Sequence, residues 1–103
     1  RHSLVWAGTE IRLAEGPNVL GREPPAEVVL PHPSVSREHA RIEVAGEQAA
    51  IEDLGSKNGT FRGETRVAGR VALADGDELR VGAVRLVYRG PAASRPGDTE
   101  TYA

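Results

Sequence analysis

Glycine, proline or asparagine interrupts this chain so regularly that only short runs, roughly 8–12 residues apart, are left between the breaks, which is the spacing of an all-β chain. The turn signals are Gly16-Pro17, Pro24-Pro25, Ala45-Gly46, Asn58-Gly59, Asp75-Gly76 and Val81-Gly82. The runs between them predict strands at Ser3–Ala7, Glu10–Ala14, Asn18–Gly21, Val28–Leu30, Ala40–Val44, Ala49–Leu54, Gly59–Arg62, Val71–Leu73, Glu78–Val81 and Val84–Arg89. Ala40, Ile42 and Val44 alternate with Arg41 and Glu43, a period of two that turns one face to a core. The stretch SVSREHARIEVA has a rival helical reading, with Ser34 or Ser36 as the cap. Its β-branched content and the alternation after His39 favour a loop followed by a strand. About ten short strands without a helix imply a β-sandwich of two antiparallel sheets, with function on the loops at one end.

At 103 residues the chain has room for one modest core. Its 13 basic and 15 acidic residues give a net charge of −2, which argues against nucleic acid as the partner. No apolar run approaches the ~20 residues of a membrane helix, so no membrane is expected. Cysteine is absent, which removes disulfides, thiolate metal sites and a thiol nucleophile, and fits a cytoplasmic setting. Methionine is also absent and residue 1 is an arginine, so the chain reads as a piece of a longer polypeptide. From Gly90 the composition turns to glycine, proline, serine and threonine. Residues 1–89 are therefore expected to form the domain, and 90–103 a flexible tail or linker.

Ser36 and His39 invite a catalytic reading, since a serine three residues before a histidine suggests a nucleophile beside its base. Asp53 or Glu38 is available to orient the histidine, but no nucleophile elbow is present, and catalysis is not expected. DLGSKNGT, residues 53–60, fails as a P-loop because its lysine precedes the glycine. The carboxylates of ADGDE lack the spacing of a calcium loop, and the histidines at 2, 32 and 39 lack that of a zinc site. No cofactor or metal is expected. What remains is an anion-friendly set on three loops: Arg22; Ser36 and Arg37; and Ser56, Lys57 and Asn58. A guanidinium fork, hydroxyls and loop N–H groups match the charge and acceptor oxygens of a phosphorylated side chain.

Gly21-Arg22, then VSREHA, then DLGSKNGTF, followed by DGDELRVG, resemble the signature of the bacterial forkhead-associated (FHA) domain over about residues 4–89. The resemblance implies an eleven-stranded antiparallel β-sandwich whose apical loops bind phosphothreonine peptides. It gives Arg22 and Ser36 to the phosphate, with Arg37 as a variable helper. It makes His39 a structural histidine, Asn58 a ligand of the peptide main chain, and Gly21 and Gly59 shapers of the turns. Lys57 stands where some members hold the phosphate with threonine or serine, and Phe61-Arg62-Gly63-Glu64 lacks an asparagine common in that loop. The expected function is thus a non-catalytic phosphothreonine-binding module in Ser/Thr kinase signalling, within a larger bacterial protein. Its partner would be a kinase substrate or the kinase itself. Thr99 and Thr101 are candidate phosphosites, as in members whose own phosphothreonine docks back. The alternative is a phospho-independent protein–protein or self-association scaffold that uses a sheet face.

Overall fold

The computed structural model describes residues 1–91. These contain eleven strands: β1 (Ser3–Trp6), β2 (Thr9–Arg12), β3 (Gly16–Gly21), β4 (Val28–Val29), β5 (Ala40–Ala45), β6 (Gln48–Asp53), β7 (Thr60–Arg62), β8 (Thr65–Arg66), β9 (Val71–Ala72), β10 (Glu78–Val81) and β11 (Val84–Arg89). One sheet runs β2-β1-β11-β10-β7-β8 and the other β4-β3-β5-β6-β9. The two face each other as a sandwich, as expected, and no helix occurs among the described residues.

Period-two burial is the reason these segments are strands. In β5, Ala40, Ile42 and Val44 are buried while Arg41 and Glu43 are half-exposed. In β11, Val84, Leu86 and Tyr88 point inward and Arg85 and Arg89 outward. These side chains join Leu4, Leu20, Ile51, Leu79 and Val81 in one core between the sheets. The loop preceding His39 is not helical, and β5 begins at Ala40.

Two features depart from the sequence expectation. β8 was not expected, because it is only two residues long and both are exposed, so no alternation marks it. β4 pairs with β3 in parallel, whereas every other described pairing is antiparallel. The chain between β3 and β4 carries Arg22 and returns alongside the strand it left. β11 ends at Arg89, while Thr99 and Thr101 lie outside the described residues.

Two buried polar groups fasten the framework. His2 Nδ1 and the Tyr88 hydroxyl lie 2.6 Å apart, and His2 Nε2 is 2.8 Å from the Gly46 carbonyl, which links β1 and β11 to the β5–β6 hairpin of the other sheet. Asn18 in β3 donates to the carbonyls of Ala14, Gly16 and Ile42 and accepts the Ala14 N–H. Each buried group left without its partner costs roughly 1–3 kcal/mol. Asn18→Ala is therefore expected to lower the unfolding free energy by about 2–4 kcal/mol in urea titration, the sum of the groups it orphans. A loss below about 0.5 kcal/mol, the range of an ordinary surface change, would contradict this assignment.

A candidate phosphate-binding loop cluster

Four connections meet at one end of the sandwich, and backbone groups make most of the joints. The Arg22 N–H, just past β3, donates to the Ser36 carbonyl in the β4–β5 loop at 3.1 Å. The β4–β5 loop reaches the β6–β7 loop through His39, which is fully buried. The Ser36 N–H donates to His39 Nδ1 at 3.0 Å, and His39 Nε2 lies 2.8 Å from the Gly59 carbonyl. A ring that accepts at Nδ1 must carry its proton at Nε2, so His39 is the Nε2–H tautomer and donates to Gly59. The Gly82 N–H, in the β10–β11 turn, donates to that same carbonyl at 3.1 Å.

Both ring nitrogens of His39 are thus committed to backbone, and the Ser36 hydroxyl is bonded elsewhere. No nucleophile–base contact exists between them. The spacing that suggested chemistry serves to hold two loops together.

Two glycines make the close approach possible. A Cβ on Gly21 would stand 1.8 Å from the Arg37 carbonyl oxygen, so only glycine lets the β4–β5 loop lie on β3. Gly59 has φ +89°, in the region that disfavours L side chains, and the Arg66 guanidinium and Phe61 ring pack against it.

The β6–β7 loop is shaped by a residue whose role sequence reasoning missed. Asp53 Oδ2 accepts the N–H groups of Gly55 and Ser56, and Oδ1 accepts the hydroxyls of Ser56 and Thr60, each at 2.6 Å. Burial by itself would raise the Asp53 pKa, but the Ser56 and Thr60 hydroxyls and the two N–H groups together bring it below the ordinary 3.8. The Asp-x-x-Ser spacing is an Asx-type turn signature, and it was the available clue. Ser56 Oγ also accepts the Gly59 N–H, so its only proton belongs to Asp53. Ser56 is therefore removed from the anion-friendly set: it builds the loop and offers no donor outward.

The remaining predicted residues gather at the surface of this cluster. Ser36 Oγ accepts the Lys57 N–H at 3.1 Å, while its own proton has no acceptor among the described residues. Arg22, half-buried, spends one nitrogen on the Val35 carbonyl at 2.9 Å and has no carboxylate partner among the described residues. The exposed Lys57 ammonium is likewise unpaired among them. Asn58 Nδ2 donates to the Ser34 carbonyl at 2.8 Å, which fixes the amide and leaves Oδ1 and a second N–H available. Arg37 differs from these: it is exposed and ion-paired with Glu23 at 3.3 Å. Such a surface pair is worth about 0–1 kcal/mol, so it is readily exchanged.

The end loops of this β-sandwich thus bring together two cations, Arg22 and Lys57, that have no carboxylate partner among the described residues, beside the Ser36 hydroxyl and the Asn58 amide. The comparisons place it more closely. The FHA domain family matches residues 18–82, and the chain belongs to that family. It is 36% identical over 92 residues to the glycogen accumulation regulator GarA of Mycolicibacterium smegmatis, covering 88% of this chain and 58% of that protein. The chain spans between 16% and 58% of the length of three of the curated relatives it matches. A solved domain from a study of phosphothreonine-dependent FHA domain interactions superposes with a TM-score of 0.81 at 36% identity, over 85% of this chain and 94% of that one. The FHA domain of FhaA, crystallised with the intracellular domain of Rv3910, also gives 0.81 at 36% identity, over 86% of this chain and all of that one.

Asp53 supplies a test of the loop architecture. A carboxyl with a lowered folded-state pKa stabilises fully above its unfolded value near 3.8 and loses that contribution as pH falls through the lower folded value. Asp53→Asn is expected to cost about 1.5–3 kcal/mol at pH 7, the range for hydrogen bonds to a charged group. The gap between the two proteins should narrow below pH 3.8 in denaturant titrations. A gap that stays constant from pH 7 to pH 3 would contradict the assignment.

Proposed function

We propose that this domain binds phosphothreonine-containing segments of other proteins, and that it does so without catalysis. The observation that carries the reading is the state of Ser36. Its hydroxyl oxygen is already anchored by the Lys57 N–H, so its free proton is left to donate outward. Arg22 supplies charge-assisted donors on one side of it, and Lys57 and Arg37 add positive charge. The phosphate, with about −1.5 to −2 charges and three acceptor oxygens, matches this set. Asn58, fixed through Ser34, presents its free amide groups to the peptide main chain. Gly21, His39 and Gly59 hold the loops in place and do not touch the ligand.

The relatives support the choice of phosphothreonine, since the solved neighbours include work on phosphothreonine-dependent FHA interactions. The complex of FhaA with an intracellular domain supports a protein partner. We take the partner here to be a Ser/Thr kinase substrate or the kinase itself, in the cytoplasm, and the domain to be part of a larger bacterial signalling protein. No helix of the described residues is long and apolar enough to cross a membrane.

Titration calorimetry with a phosphothreonine peptide and its unphosphorylated twin tests this reading. Binding is expected for the phosphorylated form alone. Arg22→Ala should weaken it by about 2–5 kcal/mol, the cost of removing one partner of a desolvated charged pair. Equal affinity for the two peptides would overturn the proposal.

A further inference from the structure

Beyond the loops, one row of side chains crosses the outer face of the six-stranded sheet. Arg66 in β8 stands opposite Phe61 in β7, Phe61 opposite Arg80 in β10, and Arg80 opposite Arg85 in β11. The residues flanking Arg80 and Arg85 along their strands are buried, so these two point away from the core. The Arg80 guanidinium lies 4.0 Å from the Phe61 ring centroid and that of Arg66 5.7 Å, so the ring sits between two cations.

Arg80 and Arg85 place like charges directly opposite each other across two strands, an arrangement that opposes folding. None of the three arginines has a carboxylate partner among the described residues, where the ion pairs are Arg37–Glu23, Arg41–Glu52 and Arg89–Asp75. Glu78 shares the outer face but lies two residues away along β10 and forms no ion pair among the described residues. A chain of net charge −2 thus carries, on one sheet face, a basic row without carboxylate partners among the described residues. The row begins at the binding loops, because the Arg66 guanidinium packs on Gly59, next to Asn58.

We propose that this row is a docking surface for an acidic stretch of the same phosphorylated partner, continuous with the segment held at the loops. The inference rests on the phosphothreonine reading above. Four strands about 4.8 Å apart put Arg66 and Arg85 some 14 Å from each other, which four or five extended residues span. The row would recognise carboxylates through exposed, salt-sensitive pairs, and the phosphothreonine would set their register.

The test uses phosphothreonine peptides with one core sequence, extended by five residues rich in Asp and Glu or in Asn and Gln. The extension is placed before the phosphothreonine in one pair and after it in another. In one of the two placements the acidic peptide is expected to bind more tightly, about two- to fivefold per arginine engaged, as for exposed ion pairs, with the advantage shrinking as salt rises. Arg66→Gln and Arg85→Gln should each reduce that advantage, and Arg85→Gln should leave the short core peptide unaffected. Relief of like-charge repulsion should leave the melting temperature of Arg85→Gln unchanged or raised, which separates the effect from misfolding. If acidic and neutral extensions bind alike in both placements, the docking surface is overturned while the phosphothreonine reading stands. If no phosphopeptide binds, both fall.

Discussion

The Gly59 carbonyl is the point on which the binding end of this domain depends. It accepts the His39 Nε2–H at 2.8 Å and the Gly82 N–H at 3.1 Å, which joins loops from both sheets at a single oxygen. His39 then passes the connection through its other nitrogen to the Ser36 N–H, and the Ser36 carbonyl passes it to Arg22. The three residues best suited to a phosphate and its peptide, Arg22, Ser36 and Asn58, are all positioned by this chain or by groups one bond from it. Because the linking groups are buried or backbone, their geometry is set by contacts within the domain.

That arrangement matters for binding free energy. Ordering loops and rotamers at the moment of association costs about 0.5–1.5 kcal/mol for each mobile side chain. Here Asn58 is held on Ser34, Ser36 on Lys57 and Arg22 on Val35 by contacts within the domain. Internal demand is also kept away from the donors that face outward. Asp53 consumes the Ser56 and Thr60 hydroxyls and two N–H groups, while Arg22 and Lys57 are left without carboxylates among the described residues. Positive charge is thus retained at the proposed phosphate site, and the loop's own structural needs are met by the Asp53 carboxylate.

The sandwich was legible because Ala40, Ile42 and Val44 alternate with charged residues and turn residues bound every run. β8 was not, since Thr65 and Arg66 are both exposed and carry no pattern. The candidate site residues stood out as a set only when three loops were considered together, because each is an ordinary surface residue in isolation. Their internal division of labour was hidden. Nothing in the spacing of Ser36 and Ser56 says that one hydroxyl faces outward and the other serves Asp53; that depends on which carboxylate the fold brings within 2.6 Å. The basic row was invisible for a similar reason, since Arg66, Arg80 and Arg85 become neighbours only through the registers of β8, β7, β10 and β11.

Amide hydrogen exchange in the free protein tests the central claim, that the binding end is built before ligand binds. The amides of Arg22, Ser36 and Gly82 are the ones to follow, each being a donor in the chain that runs through Gly59 and His39. Protection within an order of magnitude of the β5 and β6 amides, changing little when a phosphothreonine peptide is added, is the predicted result. Exchange at the rate of an unstructured loop, slowing only on peptide addition, would show that the ligand assembles the site and would contradict the account.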